Sequence, residues 1–319
     1  MSGSEFPAGQ TRPFHVSPAP LGSCVEAWSG YPLQFGGMRR HGWQDELAAE
    51  LGRALAAMSF RAGESLAGTY TTTDDGACDA ENRLFTNPGA SCFPRNVASI
   101  RFERGCGPVP DPPVPIDLLA GHLHYYRYCA ASDFLTWERD LVLARWERVP
   151  RVVPADGSAR PMWLALRRAA VNGTVERAAP ALADGVPFGV RITVHATAHG
   201  PRSAPVISET FVDGVIAAFY ASAPNARAVA QALAPKLPGI SPDELERLVG
   251  LDWTGALFPG SPFIVKGSFV QLSPCDERCL AGEVTITPDA RGRHVETSGE
   301  LFTLRPRVRD TSVRATERP

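Results

Sequence analysis

No stretch of this sequence approaches the roughly 20 consecutive apolar residues that a membrane-spanning helix requires, so no such helix is expected. The opening residues MSGSEFPAGQTRPF lack the apolar core of a secretory signal, and the expected location is cytoplasmic. Charge of one sign is not in excess either. Basic residues number 32 and acidic residues 34, a formal net charge of -2 that offers no global basic field to recruit nucleic acid. Short catalytic signatures are missing as well: no GxGxxG follows a strand pattern, and GxxxxGKS or GxxxxGKT, HExxH and GxSxG do not occur. Nucleotide-fold, zincin and α/β-hydrolase readings therefore lose their usual support.

What is present describes an ordinary folded protein. Hydrophobic residues make up 44% and charged residues 21%, inside the globular range. The 319 residues exceed the common domain size of roughly 100 to 200 residues, which suits one large or two medium domains. The 7 cysteines (Cys24, Cys78, Cys92, Cys106, Cys129, Cys275, Cys279) are odd in number and scattered, so reduced thiols are expected rather than a disulfide scaffold.

The first forty residues, rich in Pro, Gly and Ser, read as an extended arm across the surface. Leu47, Leu51, Leu55 and Met58 form the apolar stripe of a helix over 43–58. Strands are expected at 98–103 and 122–128, with a third at 141–149 unless that segment is helical, and the clearest at 188–195. Helices are expected at 162–171, at 208–220 with Ser208 as N-cap, at 226–237, and at 242–248 capped by Ser241. Strands return at 263–272 and 283–287. This order points to an α+β fold, a mixed or antiparallel sheet with packed helices in one large or two closely packed domains. The Pro-rich segment 149–161 marks a boundary between an N-terminal α+β region (1–155) and a C-terminal one (156–319).

Carboxylates supply the first chemical candidate. Asp79 and Glu81 stand beside Asn82, Glu209 and Asp213 are spaced i, i+4 on a helix, and Asp276, Glu277 and Glu283 lie near the last strands. Acids gathered from separate elements can hold Mg2+ through oxygen ligands, and the ion can orient a water and stabilise charge on a phosphodiester. The same residues also serve as solvated charges, caps and turn formers in many proteins.

The stretches Ser208–Phe219 and Pro274–Ile286 resemble the RusA family of Holliday-junction endonucleases, over less than a third of the chain. In that family a helix carrying Asp residues leads to a strand beside another acidic pair, and the acids bind Mg2+. The resemblance implies that Glu209 and Asp213 stand for the helix acids, with Asp276 and Glu277 as the later pair.

Other constellations carry less. Cys275 and Cys279 form a CxxxC pair that could give half of a tetrahedral zinc site; the usual spacing is CxxC and no matching second pair exists, so structural zinc is not expected. His122 and His124 would share one face of a strand, and His195 and His199 stand four apart; each can be a base, a metal ligand or a hydrogen-bonded strand-end residue. Basic and aromatic residues interleave in His122–Tyr128, around Arg127, and in Trp137–Trp146. This pattern fits a nucleic-acid surface or, more often, a sheet core covered by Arg stems.

The expectation that follows is a metal-dependent phosphodiesterase or nuclease. Glu209, Asp213 and Asp276 would hold Mg2+, Asp79 and Glu81 would complete the catalytic set, and Arg202 and Arg127 would bind the substrate. The competing readings are a non-catalytic binding or assembly subunit with a protein partner, and a small-molecule enzyme using His122, His195 or a Cys.

Overall fold

Alternation of apolar and polar side chains, period two, decides which face each strand buries. The computed structural model describes residues 11–18, 24–35, 41–76, 78–151, 158–178, 181–251, 255–267, 269–274, 276–289 and 292–307. Ten of its strands form one sheet: β1 (Phe14–Pro18), β2 (Cys24–Ser29), β3 (Ser65–Thr72), β4 (Ser99–Arg104), β5 (His124–Ala131), β6 (Trp137–Arg151), β7 (Val175–Arg177), β8 (Phe188–Ala196), β11 (Cys279–Pro288) and β12 (Val295–Pro306). The hairpin β9 (Phe263–Lys266) and β10 (Phe269–Leu272) stands apart from it. Strand order is β1-β2-β5-β3-β4-β11-β8-β12-β6-β7. β3 runs parallel to β4 and β8 to β11, while the other neighbours are antiparallel, so the fold is α+β with a mixed sheet.

The boundary expected near residue 155 does not divide this sheet. β4 pairs with β11 and β6 with β12, which interleaves strands from both halves. Of the linker expected over 149–161, residues 149–151 end β6 and 160–161 begin the helix Arg160–Val171, while 152–157 lie outside the described residues. The N-terminal arm supplies the edge strand β1 and its neighbour β2, because β2 finds a partner in β5 that is remote in sequence. Cys24 and Cys129 face each other in that pairing and are joined by a disulfide, which corrects the expectation that all thiols are reduced.

Among the described residues, α1 (Gly42–Ala56), α2 (Arg160–Val171) and α3 (Ala204–Ala218) pack on one face of the sheet, while α4 (Ala226–Leu233) and α5 (Pro242–Val249) pack together, against the β9–β10 hairpin and α2. Val190, Ile192 and Val194 of β8 enter the same buried cluster as Leu47, Leu51 and Leu55 of α1 and Phe211, Val215 and Ile216 of α3. Arg167 of α2 ties the helices together. Its buried guanidinium donates to the carbonyls of Leu248 (3.0 Å), Ala218 (3.3 Å) and Tyr220 (3.1 Å), filling acceptors left open where α3 and α5 end. Burial lowers its pKa to about 10, still fully charged at neutral pH.

The opposite face carries a small apolar cluster of Phe134, Trp137, Ala281, Phe302 and Leu304, and beside it a row of charges in register. Arg101, Glu283, Arg191, Glu300 and Arg145 are successive cross-strand partners through β4, β11, β8, β12 and β6. Ion pairs of 2.6, 2.8, 3.3 and 3.3 Å link them in that order. Alternating sign across the strands removes the like-charge contacts that would oppose pairing. Glu283, expected among the metal-site acids, is thereby committed to this ladder.

Candidate acidic site

Three elements meet on the helical side of the sheet. The first is the turn that leads from Asp79 into a π-helical segment, Asn82–Thr86. Asp79 Oδ1 accepts from the Asn82 backbone N–H at 3.1 Å, and the Asn82 side-chain amide donates to the other oxygen, so the acid caps its own turn. Leu84 and Phe85 are buried beneath the segment, and the Tyr128 hydroxyl donates to the Leu84 carbonyl at 2.6 Å. Such anchoring fixes where Asp79 and Glu81 stand.

The second element is α3. It begins at Ala204, one turn earlier than expected, with Ser203 preceding it. Ser208 is therefore not an N-cap. It lies inside the helix, fully buried, and its hydroxyl donates to Glu81 Oε1. Glu209 and Asp213 follow on one face of α3. Gly214 lets α3 approach the start of α2, since a Cβ there would meet the Ala159 carbonyl oxygen and Met162 Cβ at 2.6 Å. The third element is the short 3-10 turn Asp276–Arg278 that opens β11, pinned by Arg278 donating to the Ala183 and Val186 carbonyls at 2.7 and 3.1 Å.

These elements bring Asp79, Glu81, Glu209, Asp213 and Asp276 together. The Asp276 carboxyl stands within hydrogen-bonding reach of those of Asp79 and Asp213. Thr86 Oγ1 bridges Glu81 Oε2 (3.3 Å) and Glu209 Oε2 (3.4 Å). Glu81 is 2% exposed, while the other four are half-buried, so one edge of the group meets solvent. Burial raises every one of these carboxyl pKa values. For Asp213 burial, with the charges of Asp79, Glu81 and Glu209, lifts the value to about 8. For Asp276 burial, with Asp79 and Asp213, lifts it to about 9. Among the described residues no Lys or Arg forms an ion pair with any of the five.

Like charges this close cannot all ionise in a low-dielectric site, so protons are shared between the acids or a cation enters. Among the described residues no three His, Cys, Asp or Glu side chains already converge on an ion position. The donor set is nevertheless all oxygen, which suits a hard divalent cation. The Cys279 thiol is buried among the same acids, and burial together with their charges holds it protonated, unlike a thiolate ligand. Cys275 lies outside the described residues, so the CxxxC pair is not described.

Two clefts open from this group and share Glu209. One, of about 510 Å3, is lined by Asp79, Asn82, Arg83, Asn87 and Phe35. The other, of about 280 Å3, is lined by Asp213, Arg160, Lys236 and Phe269. The expected substrate residues stand elsewhere. Arg127 belongs to the opposite face of β5 from Tyr126 and Tyr128 and lies 3.8 Å from Glu26. Arg202 lines a separate apolar cleft with Ala196, Ile286 and Pro288, its guanidinium donating to the Ala198 carbonyl at 3.2 Å. No hydrogen bond ties Glu277 to the acids among the described residues.

The histidines also disperse. β5 begins at His124, so His122 precedes the strand and is exposed. His124 is buried with Nδ1 2.8 Å from the Tyr70 hydroxyl, and burial lowers its pKa to about 4. His195 pairs with the Ser298 hydroxyl at 3.0 Å, and His199 is exposed. Trp137 and Trp146 are buried, which places the second aromatic segment in the core.

Sequence reasoning did not reach Ser208 as a partner of Glu81, nor Thr86, Arg83, Lys236, Phe35 or Phe269. No local pattern marks them, because each joins the site only through packing. Neither a protein-family model, a curated protein nor a solved structure matches the chain.

Proposed function

We propose that this protein is a divalent-cation-dependent phosphodiesterase acting on nucleic acid. One observation carries the reading: five carboxyl groups from three separate elements meet without a protein cation to pair them. In this reading Glu209, Asp213 and Asp276 hold Mg2+, replacing the protons that otherwise link the acids. The cation supplies charge stabilisation at the phosphate and a water of lowered pKa. Asp79, oriented by Asn82 and lining the open cleft, would accept a proton from the attacking water, while buried Glu81, held by Ser208 and Thr86, would fix the acids around it. Arg83 and Lys236, at the two clefts, meet phosphates on either side. Chemistry of the RusA type accords with helix acids and an acid on the turn that opens a later strand acting as one group.

The test joins binding to turnover. Mg2+ or Mn2+ should raise the melting temperature of the wild-type protein and support cleavage of labelled oligonucleotides, with EDTA abolishing both. Asp213→Asn should lose the cation response and at least about 100-fold of the cleavage rate, as for loss of a first-rank electrostatic contributor. A wild-type protein whose melting is indifferent to both cations, and which leaves every nucleic acid intact, would refute the reading.

A further inference from the structure

Phe35 and Phe269 are 50% and 52% exposed, unusual for side chains of this size. They line different clefts, yet both clefts open on Glu209. Each aromatic has cationic company. Phe269 is the direct cross-strand partner of Lys266, which shares its outward face of the hairpin, and Lys236 lines the same cleft. Phe35 shares its cleft with Arg83.

The backbone beneath Phe35 is held firmly. Arg83 Nη1 and Asn87 Nδ2 both donate to the Leu33 carbonyl, at 3.1 and 2.8 Å, while the Leu33 N–H donates to the Tyr126 hydroxyl at 2.9 Å. The segment carrying Phe35 is thus tied to the turn carrying Asp79. Phe269 is equally supported, since Val270 next to it is buried in the core.

Resting on the function proposed above, we infer that the substrate is an unpaired nucleic-acid strand, whose bases stack on Phe35 and Phe269 on either side of the acids. Aromatic faces accept any base once it is unstacked, and neighbouring Lys and Arg follow the backbone. Bases inside a duplex present only their edges, so two exposed rings in clefts give such a duplex nothing to stack on.

Fluorescence anisotropy on the full chain tests this, with a labelled single strand and the same strand annealed to its complement, in Ca2+ to suppress turnover. The single strand should bind at least about tenfold more tightly than the duplex. Phe35→Ala and Phe269→Ala should each weaken single-strand binding by about 5- to 100-fold, the range expected for one lost base–aromatic stack. Phe35→Trp should retain it. Equal affinity for duplex, or single-strand binding unchanged in both alanine variants, would overturn the inference. The two readings separate cleanly: strand binding of this pattern with no cleavage in Mg2+ or Mn2+ removes the phosphodiesterase and keeps the strand site. Cleavage of duplex and single strand at equal rates does the reverse.

Discussion

The Ser208 hydroxyl donates a hydrogen bond to Glu81 Oε1 across 127 residues of sequence, joining the middle of α3 to the turn before the π-helical segment. Both residues are buried, so the acid has no water to substitute for that donor. Ser208→Ala should destabilise the protein by about 1–3 kcal/mol, the cost of leaving a buried polar atom without its partner. It should also weaken cation binding by about 10- to 100-fold, as loss of a supporting hydrogen bond does at metal sites. Urea denaturation and a Mg2+ titration followed by melting temperature check both; a variant equal to wild type in both would mean that the contact orients nothing.

Asp213 separates stability from function. Its carboxyl lies among Asp79, Glu81 and Glu209, whose charges oppose its ionisation. Asp213→Asn removes one of these charges while conserving shape, so at pH 8 without divalent ions the variant should melt higher than wild type. With Mg2+ the order should invert. A variant less stable than wild type under both conditions would show that the carboxyl contributes hydrogen bonding more than repulsion.

The metal-free protein should lose stability as pH rises. Asp213 and Asp276 have folded-state pKa values of about 8 and about 9, well above the ordinary carboxylate range. Between the unfolded values, near 4, and these folded values, the native state binds more protons than the unfolded state, so unfolding becomes easier with each step in pH. The contribution is complete below about pH 4 and gone above about pH 9. Melting in EDTA should therefore fall from pH 5 to pH 9, and the stabilisation by Mg2+ should grow over the same interval, because protons and cation compete. A flat profile in EDTA would contradict the shared-proton arrangement.

Glu103 offers a stability prediction away from the site. Its buried carboxylate accepts the backbone N–H groups of Leu135 (2.7 Å), Thr136 (2.8 Å) and Trp137 (3.0 Å), holding the chain as it enters β6. Glu103→Ala strands these donors and should cost on the order of 3 kcal/mol or more. Its cation response should remain that of wild type, which separates a folding defect from a site defect. A loss below about 0.5 kcal/mol in urea denaturation would overturn this account.

Reduction of the Cys24–Cys129 disulfide frees a loop whose ends are 105 residues apart. A closed loop of that length restricts the unfolded chain, so dithiothreitol should lower stability by about 2–4 kcal/mol. Cys24→Ser should reproduce the loss and make the protein insensitive to the reductant. Continued sensitivity in that variant would place the effect in other cysteines.

Much of the fold was legible because local pattern and burial agree. Leu47, Leu51 and Leu55 are spaced for one helical face and are all fully buried on α1. Val190, Ile192 and Val194 alternate as a half-buried strand must, and Ser241 accepts the Glu244 N–H at 3.1 Å as an N-cap should. Legibility failed where the partner decides the element. β2 contains Pro- and Gly-flanked sequence that becomes strand only against β5, and β12, which carries Gly299 and Glu300, pairs between β6 and β8.

The sequence by itself determined the composition of a folded α+β chain, the helical and strand periodicities, and the supply of carboxylates at 79, 81, 209, 213 and 276. Spacing could place Glu209 and Asp213 on one helix face because the α-helix repeats every 3.6 residues. It could not decide which distant acids share a site or which are neutralised. Glu283 and Asp276, seven residues apart in the chain, illustrate this: β11 turns Glu283 to the arginine ladder of the outer face, while the turn before it leaves Asp276 among the acids. Only tertiary packing made that choice, because burial and the charges brought near by other segments set the energy of an ionisable group.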